Sequence, residues 1–167
     1  MEISDLGMDL EQEDDAAGFL GVTLERDPET GLLEMKQTGL IKRIIDAVGL
    51  DDKCVKGKYT PSESKPLVKD VHGHAASGAF SYSSVIGMLL YLSGHTRPDI
   101  TFAVNCCARY MFCPKHLHEL VLKRLGRYLK QASDQGMVMN LSSNVCKIDT
   151  YPNAGFPGIH NMVMRII

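Results

Sequence analysis

The sequence predicts an α+β fold, with a short β-hairpin, a helical centre and short strands towards the C-terminal end. Three observations predict it. Apolar residues run in strand-like stretches over 19–35, then recur at helical spacing over 40–48 and again over 81–131. Hydrophobic residues make up 44% of 167 residues, enough for one buried core. Charged residues make up 23%, which is not the composition of a disordered chain. The absence of Trp and the nine Met read as soft core packing rather than as chemistry.

Charge is unevenly placed. The net value of -2 combines ten acids and one base within residues 1–30 with ten acids and seventeen bases over 31–167. A basic body can lie on a phosphate backbone by releasing counterions; an ordinary solvated surface is the plain alternative. The five cysteines, Cys54, Cys106, Cys107, Cys113 and Cys146, are odd in number and contain no CxxC pair, which argues against a disulfide framework or a zinc site. Reduced thiols and the lack of a cationic start with an apolar h-region predict a cytoplasmic or nuclear protein that is not secreted. No apolar run approaches the ~20 residues that span a bilayer, so no membrane partner is expected.

The elements follow in order. Residues 1–17 are acidic, with Glu11, Glu13, Asp14 and Asp15 repelling one another, and are expected to stay loose. Phe19, Leu20, Val22 and Leu24, a turn with Asp27, Pro28 and Gly31, and then Leu32, Leu33 and Met35 predict a β-hairpin. Leu40, Ile41, Ile44, Ile45 and Val48 predict a helix with Thr38 as its N-cap and Gly49 as its stop. Residues 51–80 form a long basic connector with Lys53, Lys56, Lys58, Lys65 and Lys69, which either binds something or moves. Helices are then predicted over 81–93, 97–112 and 115–131. The second starts on Thr96 as cap and Pro98. The third buries Leu117, Leu120, Val121, Leu125, Tyr128 and Leu129. Val138, Met139 and Leu141 predict one short strand, and Cys146, Ile148 and Tyr151 another. The apolar tail Met162–Ile167 has no visible partner.

Few residues carry chemistry. Nucleotide polymerisation uses two metals held by paired carboxylates, usually on a turn between apolar strands. Asp14-Asp15 lies in an acidic run and Asp51-Asp52 follows a helix stop, so neither has that context. The histidines lack the i, i+4 pairing of a helical metal site, and Cys106-Cys107 reads as a buried structural pair. The positive signal is a basic helix. Lys123, Arg127 and Lys130 are spaced by four and three and so share one face, with Arg124 beside them. Such a face can grip phosphates without reading sequence; a solvated face opposite the Leu stripe is the plain alternative.

Several motifs, in order, resemble the Ty1/copia-type retrotransposon reverse transcriptases. Gly18-Phe19-Leu20-Gly21-Val22 is similar to the family's "FLG" strand. Gln37, Leu40 and Ile41 match the helix that follows its hairpin, and Thr60-Pro61 a later Thr-Pro. Tyr82, Ile86, Gly87, Leu89, Tyr91 and Leu92 match its Tyr-x-x-x-Ile-Gly-x-Leu-x-Tyr-Leu. Thr96-Arg97-Pro98-Asp99-Ile100 reproduces "TRPDI". Pro114, His118, Lys123-Arg124 and Arg127-Tyr128-Leu129-Lys130 match "P…H…KR…RYLK", and Ser4-Asp5-Leu6-Gly7 resembles an upstream "DLG".

The resemblance covers roughly residues 4–158 and implies a partition. Residues 18–131 become a region like the thumb and connection of reverse transcriptase, in which residues 18–36 are strands near the primer terminus. Residues 138–158 become the start of a ribonuclease H-like domain, and 159–167 an unmatched tail. It implies nucleic-acid contact by Lys123, Arg124, Arg127 and Lys130, and by Arg97 unless Arg97 simply pairs with Asp99. The departures matter equally. The Tyr-x-Asp-Asp turn has no counterpart. Asn153 and Gly155 stand where the ribonuclease H pattern has its two catalytic Asp, and an amide cannot supply the negative charge a Mg²⁺ site relies on. The parent enzyme would use Mg²⁺; no cofactor is expected for this chain. The expected role is therefore that of a catalytically inactive relative with weak, non-specific binding to an RNA–DNA or DNA duplex. The alternatives are a protein-interaction remnant, with an intact reverse transcriptase as partner, or a non-functional pseudogene product.

Overall fold

The computed structural model describes residues 21–140, apart from 53, 64 and 66. The acidic segment 1–17, the strand over Cys146–Tyr151, Asn153, Gly155 and the apolar tail lie outside the described residues.

Two strands, β1 (Thr23–Arg26) and β2 (Leu32–Lys36), form the expected hairpin, with Leu24 opposite Met35. Asp27 makes the turn. Its Oδ1 accepts the Glu29 amide at 2.9 Å and its Oδ2 the Thr30 hydroxyl at 2.6 Å, while Gly31 takes a left-handed φ of 70°. A third strand, β3 (Met137–Asn140), pairs antiparallel with β2, with Met139 opposite Leu33. The strand expected around Val138–Leu141 thus joins the hairpin's own sheet, in the order β1-β2-β3.

The helical centre comprises α1 (Thr38–Ala47), α2 (Tyr82–His95), a 3-10 turn (Pro98–Ile100), α3 (Thr101–Ala108) and α4 (His116–Gln131). Helix α1 ends as its sequence predicts. Gly49 has φ 70°, the Leu50 amide donates back to Ile45 O at 3.0 Å and the Gly49 amide to Asp46 O at 3.1 Å, a Schellman closure. Its start differs. Gln37, not Thr38, is the N-cap and makes no side-chain cap bond, because its Oε1 accepts the Thr96 hydroxyl at 2.9 Å. Thr96 is therefore engaged with Gln37 rather than capping the next helix. Ser81 caps α2 by accepting the Ser84 amide.

The helix expected over 97–112 is shorter and broken. Pro98 opens a 3-10 turn, and bonds from Tyr110 N to Cys107 O and from Met111 N to Ala108 O tighten the chain after α3. The core gathers Ile41, Ile44, Val85, Ile86, Leu89, Leu92, Ile100, Val104, Leu122, Leu125 and Leu129 from all four helices and the 3-10 turn. Helix α4 presents Leu122, Leu125 and Leu129 inward, while Leu117 and Leu120 remain 39% and 50% exposed. The expected inward stripe was thus rotated about the helix axis. Gly126 lies where α1 ends against α4; a Cβ there would meet Leu50 Cδ1 at 2.8 Å and Val48 Cγ2 at 3.1 Å.

The long connector follows α4 closely. Lys58 N donates to Arg127 O, Tyr110 OH to Leu67 O, and the Ser77 and Gly78 amides to the buried Glu119 carboxylate. Ala75 makes a bridge to Lys115. Val55, Leu67 and Phe80 add apolar contacts to the core.

Candidate nucleic-acid interface

Helix α4 positions the candidate residues, and its two ends are fixed differently. At the start, the buried His118 accepts the Lys115 amide on Nδ1 at 3.0 Å and donates from Nε2 to Val68 O at 3.3 Å, a pair of bonds that requires the Nε2–H tautomer. Its ring stacks on Tyr110 with centroids 4.1 Å apart. Beside it, burial works against the charge of Glu119, but the Ser77 and Gly78 amides outweigh it and hold the carboxyl below its ordinary value.

At the far end, Arg97 reaches in from the segment before the 3-10 turn. It is 1% exposed. Nε and Nη2 donate to both oxygens of Asp99 at 2.9 and 2.8 Å, and Nη1 donates to Ala132 O, just past α4, at 2.7 Å. Tyr128 completes the group, its hydroxyl donating to Asp99 Oδ2 at 2.7 Å and its ring lying 5.5 Å beneath the guanidinium. Burial opposes both charges, yet the pairing wins. Arg97 is held above its ordinary value and Asp99 below its own. Arg97 is therefore an interior residue that closes the end of α4, and it stands apart from the cations on the outer face.

The other four candidates differ in how free they are. Lys130 donates from Nζ to Leu50 O at 2.8 Å and Asp52 O at 2.5 Å, tying α4 to the chain just past α1. Arg124 donates from Nη1 to Glu63 Oε1 at 2.9 Å and from Nη2 to Thr60 Oγ1 at 3.0 Å. Lys123 lies 5.9 Å over the Phe80 ring, and neither it nor Arg127 has a carboxylate partner among the described residues. Lys123 and Arg127 thus remain without a carboxylate partner among the described residues, Arg124 beside them is paired with Glu63, and Lys130 and Arg97 serve the fold. Lys58 extends this cationic face. It lines one groove with Glu63, Leu117, Leu120, Arg124 and Arg127. The sequence marked Lys58 only as one lysine of a basic connector and Thr60 only as part of the Thr60-Pro61 match; Glu63 carried no local signal.

Nothing in the described residues resembles a catalytic metal centre, and no group of three potential ligands occurs among them. Asp51-Asp52 does not fit Mg²⁺. The Asp52 carboxylate accepts the Cys54 amide at 2.9 Å, and the Lys130 ammonium occupies its carbonyl. Cys107 is buried, and burial pushes its thiol up to about 12, which leaves it unreactive at neutral pH.

These features define an α+β domain built around an amphipathic helix whose outer face is cationic. The chain is a relative of the Pol polyproteins of Ty1/copia-type retrotransposons. It is 30% identical over 140 residues to the retrovirus-related Pol polyprotein from transposon RE1 of Arabidopsis thaliana, matching 84% of this chain and 9% of that protein. It is 28% identical over 149 residues to the corresponding RE2 polyprotein of Arabidopsis thaliana, matching 89% of this chain and 10% of that protein. A putative transposon Ty5-1 protein of Saccharomyces cerevisiae is 27% identical over 145 residues, 86% of this chain and 46% of that protein. The chain thus spans about a tenth of the length of the two plant polyproteins. No family profile matches it. No solved structure matches it either.

Proposed function

We propose that this chain is a reverse transcriptase thumb-like domain that holds an RNA–DNA or DNA duplex weakly through its phosphates and does not itself polymerise or cleave. The observation that carries this reading is the pairing of Lys123 and Arg127 one turn apart on α4, both without a carboxylate partner among the described residues. The similarity to Pol polyproteins is the reason for proposing a duplex as the polyanion. The full-length chain would be titrated against a fluorescent RNA–DNA hybrid in a KCl series. Two or three phosphate contacts predict a log–log salt slope of about −2 to −3. Substituting Lys123→Glu together with Arg127→Glu should abolish binding. Affinity indifferent to salt, or a double variant that binds like the parent, would sink the reading. Metal-dependent nucleotide incorporation by the purified chain would overturn its catalytic half.

One observation favours a second reading. Leu117 and Leu120 are exposed beside the cations, as a docking face for another protein such as an intact reverse transcriptase would be. In that case the double Glu variant loses little, and Leu120→Asp abolishes association.

A further inference from the structure

We propose that Lys58, Thr60, Arg124 and Arg127 form a subsite for a single phosphate group, and that the Glu63 carboxylate stands in for that phosphate in the free protein. The site stands on its own geometry; only the source of the phosphate, a duplex backbone, rests on the function proposed above. Residues 58–63 cross the outward face of α4. They are tied by Lys58 N to Arg127 O at 3.3 Å, by Arg124 Nη2 to the Thr60 hydroxyl and by Arg124 Nη1 to Glu63. Lys58, Glu63, Arg124 and Arg127 line an open groove of about 310 Å³ with Leu117, Leu120 and Val121, and Thr60 joins it through its bond to Arg124. The groove brings three cations against one carboxylate.

The second observation concerns donors. The Nε atoms of Arg124 and Arg127 are both shut away from solvent and have no acceptor among the described residues. Buried donors in folded proteins are nearly always matched, and here two unmatched ones belong to arginines lining the same groove. Glu63 reaches only the Nη1 end of Arg124. A guanidinium binds an anion most strongly by two parallel bonds, and the spread oxygens of a phosphate can accept from two guanidinium groups and an ammonium at once. Glu63 is 63% exposed in its side chain, so its pair with Arg124 is the weak, readily exchanged kind.

The test uses the full 167-residue chain labelled with ¹⁵N and titrated with inorganic pyrophosphate at low ionic strength, reading the arginine Nε–H resonances. The Arg124 and Arg127 signals should move and saturate while that of Arg97, held by Asp99, stays in place. Glu63→Gln should lower the half-saturating concentration about two- to fivefold, the range that corresponds to an exposed ion pair. Arg124→Lys, which keeps the charge and loses the fork, should raise it. Static Nε–H signals overturn the proposal, and so does a Glu63→Gln chain that titrates like its parent. Saturation by pyrophosphate without duplex binding upholds the subsite and overturns the duplex reading. Duplex binding with the two Nε–H signals unmoved does the reverse.

Discussion

Replacing Arg97 by Met should destabilise the folded chain by about 3 kcal/mol, the lower end of what breaking a buried ion pair costs. Met follows the aliphatic stem of arginine closely, so little cavity is created. What is lost is polar. Ala132 O forfeits its 2.7 Å donor, and a carbonyl left unsatisfied in the interior costs about 1–3 kcal/mol. Asp99 forfeits both guanidinium bonds, but its side chain is 39% exposed and keeps the Tyr128 hydroxyl, so water can rescue it and its share is about 1 kcal/mol. Urea unfolding followed by far-UV circular dichroism measures the change, since the chain has no Trp to report by fluorescence. Asp99→Asn should cost less, and Arg97→Met with Asp99→Asn less than the sum of the two, because the residues share one network. Arg97→Lys should fail to restore stability, since a point charge cannot fork across both oxygens of Asp99 and still reach Ala132. An Arg97→Met chain with an unshifted midpoint, or an Asp99→Asn chain less stable than it, would refute the reasoning.

Two further outcomes test the frame of α4. The folded-state value of Glu119 lies below the ordinary 4.5, so its contribution is present above that pH and is lost as pH falls through the folded value. Glu119→Gln should therefore lower the melting temperature at pH 7 and flatten its decline below about pH 4.5; parallel melting profiles in the two chains would count against this. Gly126→Val drives a branched side chain into Leu50 and Val48 and should cost about 1–3 kcal/mol by overpacking, seen as an earlier thermal transition; an unchanged transition would show that α1 and α4 are not held in close approach there.

The stop of α1 was legible because Gly49 tolerates φ 70° cheaply, but the helix starts were not: Thr38 and Thr96 were read as caps, while Gln37 opens α1 and the Ser81 hydroxyl meets the Ser84 amide at the start of α2. The inward face of α4 was not legible either. Leu117, Leu120, Val121, Leu122, Leu125 and Leu129 cover two overlapping stripes, and spacing alone does not choose between them. Packing chose the stripe that includes His118 and Glu119, because the connector brings Val68 O, Ser77 N and Gly78 N to satisfy them. Those partners lie 41 to 50 residues away in sequence, beyond any local pattern. The same holds for Arg97. Its bond to Asp99 is visible two residues on, while the Ala132 carbonyl that draws it inside is 35 residues away. Four of the five candidate cations were placed on α4 by their spacing. Which of them remain available was decided by contacts to Leu50, Asp52, Thr60 and Glu63.

The interior polar groups also explain how the surface can act. Binding a polyanion with long, flexible side chains loses affinity to ordering, and a rigid scaffold limits that loss. Helix α4 is held at its start by His118 and Glu119 and at its end by Arg97, Tyr128 and Lys130, so the backbone carrying Lys123, Arg124 and Arg127 is fixed at both ends. Charges one turn apart on such a helix keep a constant separation, and only their side chains remain to be ordered by a ligand. The residues withdrawn from the surface and those left on it are thus parts of one arrangement. In the proposed function Arg97 and Lys130 contribute indirectly, by holding the helix on which the outward cations stand.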